Sequence, residues 1–332
     1  MLAKILHRIA PVLLLATPSL AQGVEVLPFR FEGSQDQVVP PVAAPSNATL
    51  RYAIGTLSGD TFSLLFSISR VSSPITAVEL HAPAPPGANG PVVMDIEFTP
   101  GAVSGFSTGS IFFETVSPAV ADAIQGGLAY VDVHTVNYPD GEIRAQIQHQ
   151  VLFCNGDGDN PGCGECPCGN EIPLNEGGGC LNSTGQGARL GQRGFPSVSQ
   201  DSLEFTFGRG VPNSTVILVS GANSLPQSGP CFGLDFGTGI SGPFADGLRC
   251  VGGGLIRHGA RQTDSNGSIL GGPTSSPGWG GPNFPPAGGL LAQGAFTAGQ
   301  RRNFQAFYRD DPSQVCGTGQ NTTNGVQLLV IP

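Results

Sequence analysis

The sequence predicts an all-β protein made of two antiparallel β-sandwich or Greek-key domains, the first with one short helix. Apolar residues alternate with polar residues in many short runs along the chain, which is the period of half-buried strands. The 50 glycines and 29 prolines supply the tight turns that join such strands. After loss of a leader, the 332-residue chain is long enough for two domains.

The clearest single element is a β-hairpin in residues 128–147, LAYVDVHTVNYPDGEIRAQI. Two alternating runs flank a Tyr-Pro-Asp-Gly turn, which is a strong local hairpin signal. Val131 and Val133 are expected to face the core. Because side chains alternate between the two faces of a strand, Tyr130, Asp132 and His134 then share the opposite face.

The remaining elements of the first domain follow from the same alternation. Residues 50–54 and 62–66 flank a Ser-Gly-Asp turn and predict a second hairpin. A helix is predicted from Ser117 to Ile124, because Ser is a good N-cap, Pro suits the first helical position and a Gly pair follows. Further strands are predicted at 77–81, 92–98 and 110–113 in this domain, and at 203–207, 216–219, 255–257, 305–309 and 326–331 in the second.

The N-terminus predicts export. Residues 1–21 combine a basic start, a short apolar run and a Ser-Leu-Ala cleavage site, which is the pattern of a secretory signal peptide. We expect a secreted protein, extracellular or periplasmic, with no transmembrane segment in the mature chain. The predicted divisions are a signal peptide at 1–21, a β domain at 22–152, a Cys/Gly/Asp linker at 153–170 and a disulfide-containing β domain at 171–332.

Charge excludes several classes of function. The whole chain has a net charge of −9. Removal of the leader takes away Lys4 and Arg8 and leaves 13 basic against 24 acidic residues, a net charge of −11. A mature chain without lysine cannot use a lysine Schiff base or a P-loop. The acidic balance also argues against a nucleic-acid partner.

All eight cysteines lie between Cys154 and Cys316. An even number in an exported chain predicts up to four disulfides. Two alternatives concern the linker: Asp157 and Asp159 are spaced as in some calcium loops, and Cys163, Cys166 and Cys168 resemble part of a zinc site. The main expectation is a solvated linker pinned by disulfides.

One set of side chains is a candidate metal site. Glu79 and His81 are two residues apart on a predicted strand and share a face, as do Asp132 and His134. If the two strands are neighbours, these four residues converge and suit Zn²⁺, Cu²⁺ or Fe²⁺. The alternative is that they are polar residues of a solvated face, with both histidines hydrogen-bonded to backbone. In that case no cofactor is expected.

Three separated motifs of the first half resemble the CHRD domain, the repeat described in chordin. They are the segments 31–42 (FEGSQDQVVPPV), 80–93 (LHAPAPPGANGPVV) and 130–147, which ends in EIRAQI. Glu79 replaces the first histidine of the family's H-x-H pattern. The resemblance implies an extracellular molecule that binds other proteins. The family's histidine arrangement is also loosely similar to the copper site of Cu/Zn superoxide dismutase, which implies redox chemistry as an alternative.

The second half resembles a Cys/Gly-rich domain of exported proteins from planctomycetes and related bacteria, through the segments 166–170, 179–183, 246–253 and 304–310. Trp279 is either a binding aromatic or a packing residue. His258, beside Arg257 and Arg261, is either part of an anion site or ordinary surface charge.

We therefore expect an exported extracellular binding or surface-structural protein with a protein or glycan partner and without catalytic activity. The alternatives are a metal-binding, superoxide-dismutase-like redox enzyme using Glu79, His81 and His134, and a carbohydrate-binding protein acting through its second domain.

Overall fold

The structure is a computed structural model that describes residues 26–42, 47–99, 106–158, 165–174, 176–224, 242–271, 277–281, 289–313 and 316–332. Strands dominate, and every pairing between the strands given below is antiparallel. The all-β fold class is thereby confirmed. The predicted signal peptide, Asp159 and Cys163 lie outside the described residues, so these predictions stay untested.

Within the described residues of the first half, nine strands form one sheet in the order β5-β4-β8-β9-β1-β2-β3-β7-β6. A 3₁₀ turn (Gln35–Gln37) follows the first strand, and one helix, α1 (Pro118–Gln125), precedes the eighth. The strands are β1 (Val26–Ser34), β2 (Thr49–Ser58), β3 (Thr61–Ser69), β4 (Ile75–His81), β5 (Val92–Asp95), β6 (Glu97–Thr99), β7 (Phe106–Thr115), β8 (Tyr130–Thr135) and β9 (Ile143–Gln146).

The sheet wraps around a single core. Its two outermost strands, β5 and β6, are consecutive in the chain and are separated only by Ile96. The prediction of one strand over 92–98 is therefore wrong, because the chain passes there from one edge of the sheet to the other. Ile96 is buried and its N–H donates to the carbonyl of Val78. The core includes Phe62 and Phe66 among its fully buried side chains.

Both predicted hairpins are confirmed. β2 pairs with β3, and β8 pairs with β9. The helix also begins as predicted: the Ser117 hydroxyl accepts a hydrogen bond from the N–H of Val120, and Pro118 opens the first turn. Val131 and Val133 are fully buried in the core, so the opposite face of β8 carries the polar residues, as the alternation predicts.

A second set of strands forms the other half. Its largest sheet has the order β10-β22-β20-β13-β18, with β21 paired to β20. The elements are β10 (Gln150–Phe153), β11 (Arg189–Arg193), β12 (Glu204–Gly208), β13 (Thr215–Gly221), β14 (Asn223–Ser224), β15 (Gly242–Phe244), β16 (Gly247–Arg249), β17 (Val251–Gly252), β18 (Ile256–Gln262), β19 (Trp279–Gly280), α2 (Gly289–Gln293), β20 (Arg301–Arg309), β21 (Gln320–Thr322) and β22 (Gly325–Leu329).

Strand β10 pairs with β22 near the end of the chain. The residues just before the predicted linker thus add a strand to the sheet of the second half. The predicted division of the chain into domains stays a prediction.

Disulfides cross-link the second half. Among the described residues, bonds join Cys154 to Cys250, Cys166 to Cys180 and Cys168 to Cys316. The expectation of disulfides is confirmed for these pairs. The zinc alternative is wrong for Cys166 and Cys168, because both sulfurs are used in disulfides. In the described part of the chain, no helix is both long enough and apolar enough to cross a membrane.

Candidate metal site

The polar face of β4 and β8 places the predicted ligands on one surface. The two strands are antiparallel neighbours, and their register sets Glu79 opposite Asp132 and Ala77 opposite His134. On the other side of β8, strand β9 sets Arg144 opposite Asp132. The prediction that these residues converge required β4 and β8 to be neighbours, and the structure shows that they are.

Three of the four predicted residues form a tight group. Glu79 Oε2 lies 3.2 Å from Nε2 of His81 and 3.2 Å from Nε2 of His134. One ligand atom from each residue lies within 4.8 Å of the others. Both Nε2 atoms are buried and have no hydrogen-bond partner, so neither ring nitrogen points along a hydrogen bond to the carboxylate.

The opposite nitrogen of each ring is held by a backbone carbonyl. His81 Nδ1 lies 2.9 Å from the carbonyl oxygen of Gly90, and His134 Nδ1 lies 2.8 Å from that of Pro139. A carbonyl can only accept, so in the neutral ring Nδ1 carries the proton and Nε2 presents a lone pair. This is the usual arrangement of histidines that bind metal ions, because the second hydrogen bond fixes both the tautomer and the ring orientation.

The loop that holds His81 is itself held by Arg144. Its guanidinium donates to the carbonyl oxygens of Ala88, at 2.7 Å, and Pro85, at 3.0 Å, and to the side chain of Gln146 at 2.9 Å. Arg144 is 1% exposed, and burial lowers the pKa of this guanidinium. A buried guanidinium with several acceptors fixes the loop strongly.

Tyr130 connects Arg144 to the candidate ligand. The guanidinium carbon lies 3.6 Å from the centre of the Tyr130 ring, and the other side of that ring stacks on His81 at 4.6 Å between centroids. The Tyr130 hydroxyl accepts from the N–H of Gly90 at 3.1 Å. The same glycine thus contacts the hydroxyl through its N–H and His81 through its carbonyl. This supporting layer was missed at the sequence level, although Gly90 falls within one of the recognised motifs.

Asp132 is the predicted ligand that the structure does not bring into the group. It lies on the same face and is 6% exposed, and its Oδ1 atom is buried without a hydrogen-bond partner. Burial raises the pKa of this carboxyl, while the nearby His134, His81 and Arg144 act to lower it. Gly141 packs over it at φ +114°, and a Cβ on Gly141 would lie 2.7 Å from Oδ1.

The face around these residues is largely closed to solvent. The side chains of His81, His134 and Glu79 are 10%, 14% and 22% exposed. The alternative of polar residues on a solvated face, with both histidines hydrogen-bonded to backbone, stays open: the face is only partly exposed, and both histidines contact backbone carbonyls. Two imidazole nitrogens and one carboxylate oxygen are suitable ligands for Zn²⁺ and related transition metals.

Two residues of the second half are packing residues. Trp279 is fully buried in the core, and its Nε1–H donates to the carbonyl of Gly259, so the indole face cannot stack on a sugar. His258 is also fully buried and contacts Ser220 Oγ at 2.7 Å and Gln293 Oε1 at 3.0 Å. Both predicted readings of His258, ordinary surface charge and membership of an anion site, are wrong, because β18 turns this side chain inward.

Fold and site together define an all-β, disulfide-bonded protein with a two-strand cluster of histidine and glutamate in its first half. Residues 29–147 match the family model described as the CHRD domain, which confirms the resemblance for that part of the chain. A CHRD domain indicates an extracellular binding or structural role, and the disulfides are consistent with that location. No curated protein and no solved structure matches the chain.

Proposed function

We propose that the CHRD domain binds a divalent transition metal ion through Glu79, His81 and His134, within an exported, non-catalytic binding or surface-structural protein. One observation carries the metal proposal: two buried Nε2 atoms without hydrogen-bond partners lie at equal distances from one carboxylate oxygen. Without a metal ion, these nitrogens lose their hydrogen bonds to water on folding and have only the Glu79 carboxylate at 3.2 Å as a polar neighbour.

The carbonyl contacts of both rings support the same reading. They leave Nε2 as the nitrogen that carries the lone pair in each neutral ring and hold the two imidazoles in fixed orientations. The set also resembles the ligand types of known zinc sites, which combine imidazole with carboxylate. The export signal and the planctomycete-type resemblance of the second half are separate predictions, and the metal proposal does not rest on them.

Metal analysis of the purified mature protein tests the proposal. About one equivalent of metal is expected, and it should be lost in the His81→Ala, His134→Ala double variant and in Glu79→Gln. Glu114→Gln is the matched control, since Glu114 is an exposed carboxylate on β7. A protein that takes up no stoichiometric zinc, copper or iron after dialysis would sink the idea. Bound copper with superoxide turnover would instead support the redox alternative.

A second candidate function is the binding of an extracellular protein through an apolar surface of the first half. Phe112 and Phe113 are 64% and 78% exposed, and Ile54 and Leu65 lie beside them. Phe113 adopts φ +52°, a left-handed conformation that is unusual for a bulky residue. Exposed aromatic residues around a groove are typical of protein-binding surfaces.

Sedimentation with envelope fractions of the producing cells tests this second candidate. The wild-type protein should co-sediment in a saturable manner, and the Phe112→Ser, Phe113→Ser double variant should lose at least tenfold in apparent affinity. Val198→Ser is the control, because Val198 is a half-exposed apolar residue of the second half. Equal binding by all three proteins would remove the apolar surface from consideration.

A further inference from the structure

The spacing of the three ligand atoms carries information on coordination geometry. Two of the ligand–ligand distances are 3.2 Å. A tetrahedron with metal–ligand bonds of about 2.0 Å has edges of about 3.3 Å, whereas right-angled coordination with the same bonds needs about 2.8 Å. These two spacings fit a tetrahedral ion such as Zn²⁺ or Co²⁺, while the third spacing, between the two Nε2 atoms, lies within 4.8 Å.

Three protein ligands occupy only three corners of a tetrahedron. Among the described residues, Glu79, His81 and His134 alone form a group of this kind. Structural zinc sites are closed by four protein ligands, while sites with three protein ligands hold water or an external molecule in the fourth position. The cluster therefore corresponds to the open kind of site.

Asp132 is the one residue of this face that would close the site. Its carboxylate is opposite Glu79 in the sheet but is not a member of the ligand group. Gly141 lies against both of its oxygens, since a Cβ there would be 2.7 Å from one and 3.0 Å from the other. The carboxylate is thus packed under the β8–β9 turn, where it can accept a hydrogen bond and remain outside the coordination sphere.

The remaining solvent exposure of the group is at Glu79 and His134, although both Nε2 atoms are buried. These are the most exposed side chains of the group, at 22% and 14%. The residue opposite His134 in the sheet is Ala77, whose small side chain is itself partly exposed. The opposite side is closed by Tyr130, stacked on His81.

We propose that the metal centre has no protein ligand in its fourth coordination position and binds small monodentate anions there. This inference rests on the proposed metal-binding function and adds to it the class of ligand that the centre takes. An open, partly buried cation attracts anions because few waters compete for it.

Cobalt substitution tests the inference with a spectroscopic readout. The protein is stripped with a chelator, loaded with Co²⁺ and titrated with sodium azide, with sodium chloride at matched ionic strength as the control. We expect the intense visible bands of four-coordinate Co²⁺ and a saturable change of these bands with azide, complete with one azide per cobalt.

Asp132→Asn makes the outcome decisive, because it removes a charged ligand candidate but leaves the three ligands in place. An equal azide response in wild type and variant supports an open position. A response in the variant alone would show that Asp132 closes the site and would overturn the inference. Bound cobalt that responds to azide in neither protein would also overturn it. Failure to bind Co²⁺ at all would refute the proposed function itself.

Discussion

Arg144→Met should destabilise the first half by roughly 3–5 kcal/mol. The guanidinium makes hydrogen bonds of 2.7, 3.0 and 2.9 Å to two loop carbonyls and to Gln146, and each bond to a charged donor contributes about 1.5–3 kcal/mol. Methionine retains the aliphatic stem and removes the cost of burying a charge, so the net loss is smaller than the sum of the bonds. The loop carbonyls of Pro85 and Ala88 then lose their donor.

Urea unfolding followed by circular dichroism measures this loss, with Arg209→Met as the control. Arg209 and Glu176 form an ion pair at 3.6 Å, and their side chains are 39% and 46% exposed, so removal of this guanidinium should cost only about 0–1 kcal/mol. The same Arg144 variant should bind zinc about tenfold to a hundredfold more weakly, because the loop no longer fixes the carbonyl that orients His81. If Arg144→Met unfolds like the control and binds zinc normally, the loop is held by other contacts.

Three further outcomes are expected. Removing the Cys154–Cys250 bond by paired Ala substitutions should cost about 4.7 kcal/mol in urea unfolding and removing Cys166–Cys180 about 3.0 kcal/mol, because the chain separations are 96 and 14 residues. Zinc at a hundred times its dissociation constant should add about 2.7 kcal/mol of stability, reversed by EDTA in thermal unfolding. Burial lowers the pKa of His258, so His258 is protonated in the unfolded chain at a higher pH than in the folded protein. The stability of the fold is therefore lost as the pH falls below about 6.5. His258→Gln should lessen that loss between about pH 7.5 and 5.5, measured by urea unfolding.

The alternation of side chains was enough to predict the faces of β4 and β8, because a strand has only two faces. It was not enough to predict the break at Ile96, since Ile96 is buried between exposed neighbours and the alternation continues through the change of partner strand. His258 was misread because its arginine neighbours suggested a surface, whereas the strand places adjacent residues on opposite faces.

The amino-acid types in the sequence do not indicate that the 85–90 loop packs against the candidate site. Its contacts are made to the backbone carbonyls of Pro85, Ala88 and Gly90, and any residue supplies a carbonyl. Only the folded path of the 85–90 loop brings these oxygens to Arg144 and His81. Sequence reasoning could therefore name the residues of the candidate site but could not predict the loop contacts that hold His81 and Arg144.

The distribution of unpartnered polar atoms on this face is the strongest argument that the cluster has a ligand. The buried carboxylate of Glu142, just before β9, accepts hydrogen bonds from Ser72 and Thr135. The fold is therefore able to satisfy buried polar groups close to the candidate site. Yet Nε2 of His81, Nε2 of His134 and Oδ1 of Asp132 are buried without hydrogen-bond partners. Each such atom costs about 1–3 kcal/mol. A metal ion bound by both imidazoles would offset the two histidine costs, whereas the polar neighbour that the fold itself gives these nitrogens is the Glu79 carboxylate at 3.2 Å.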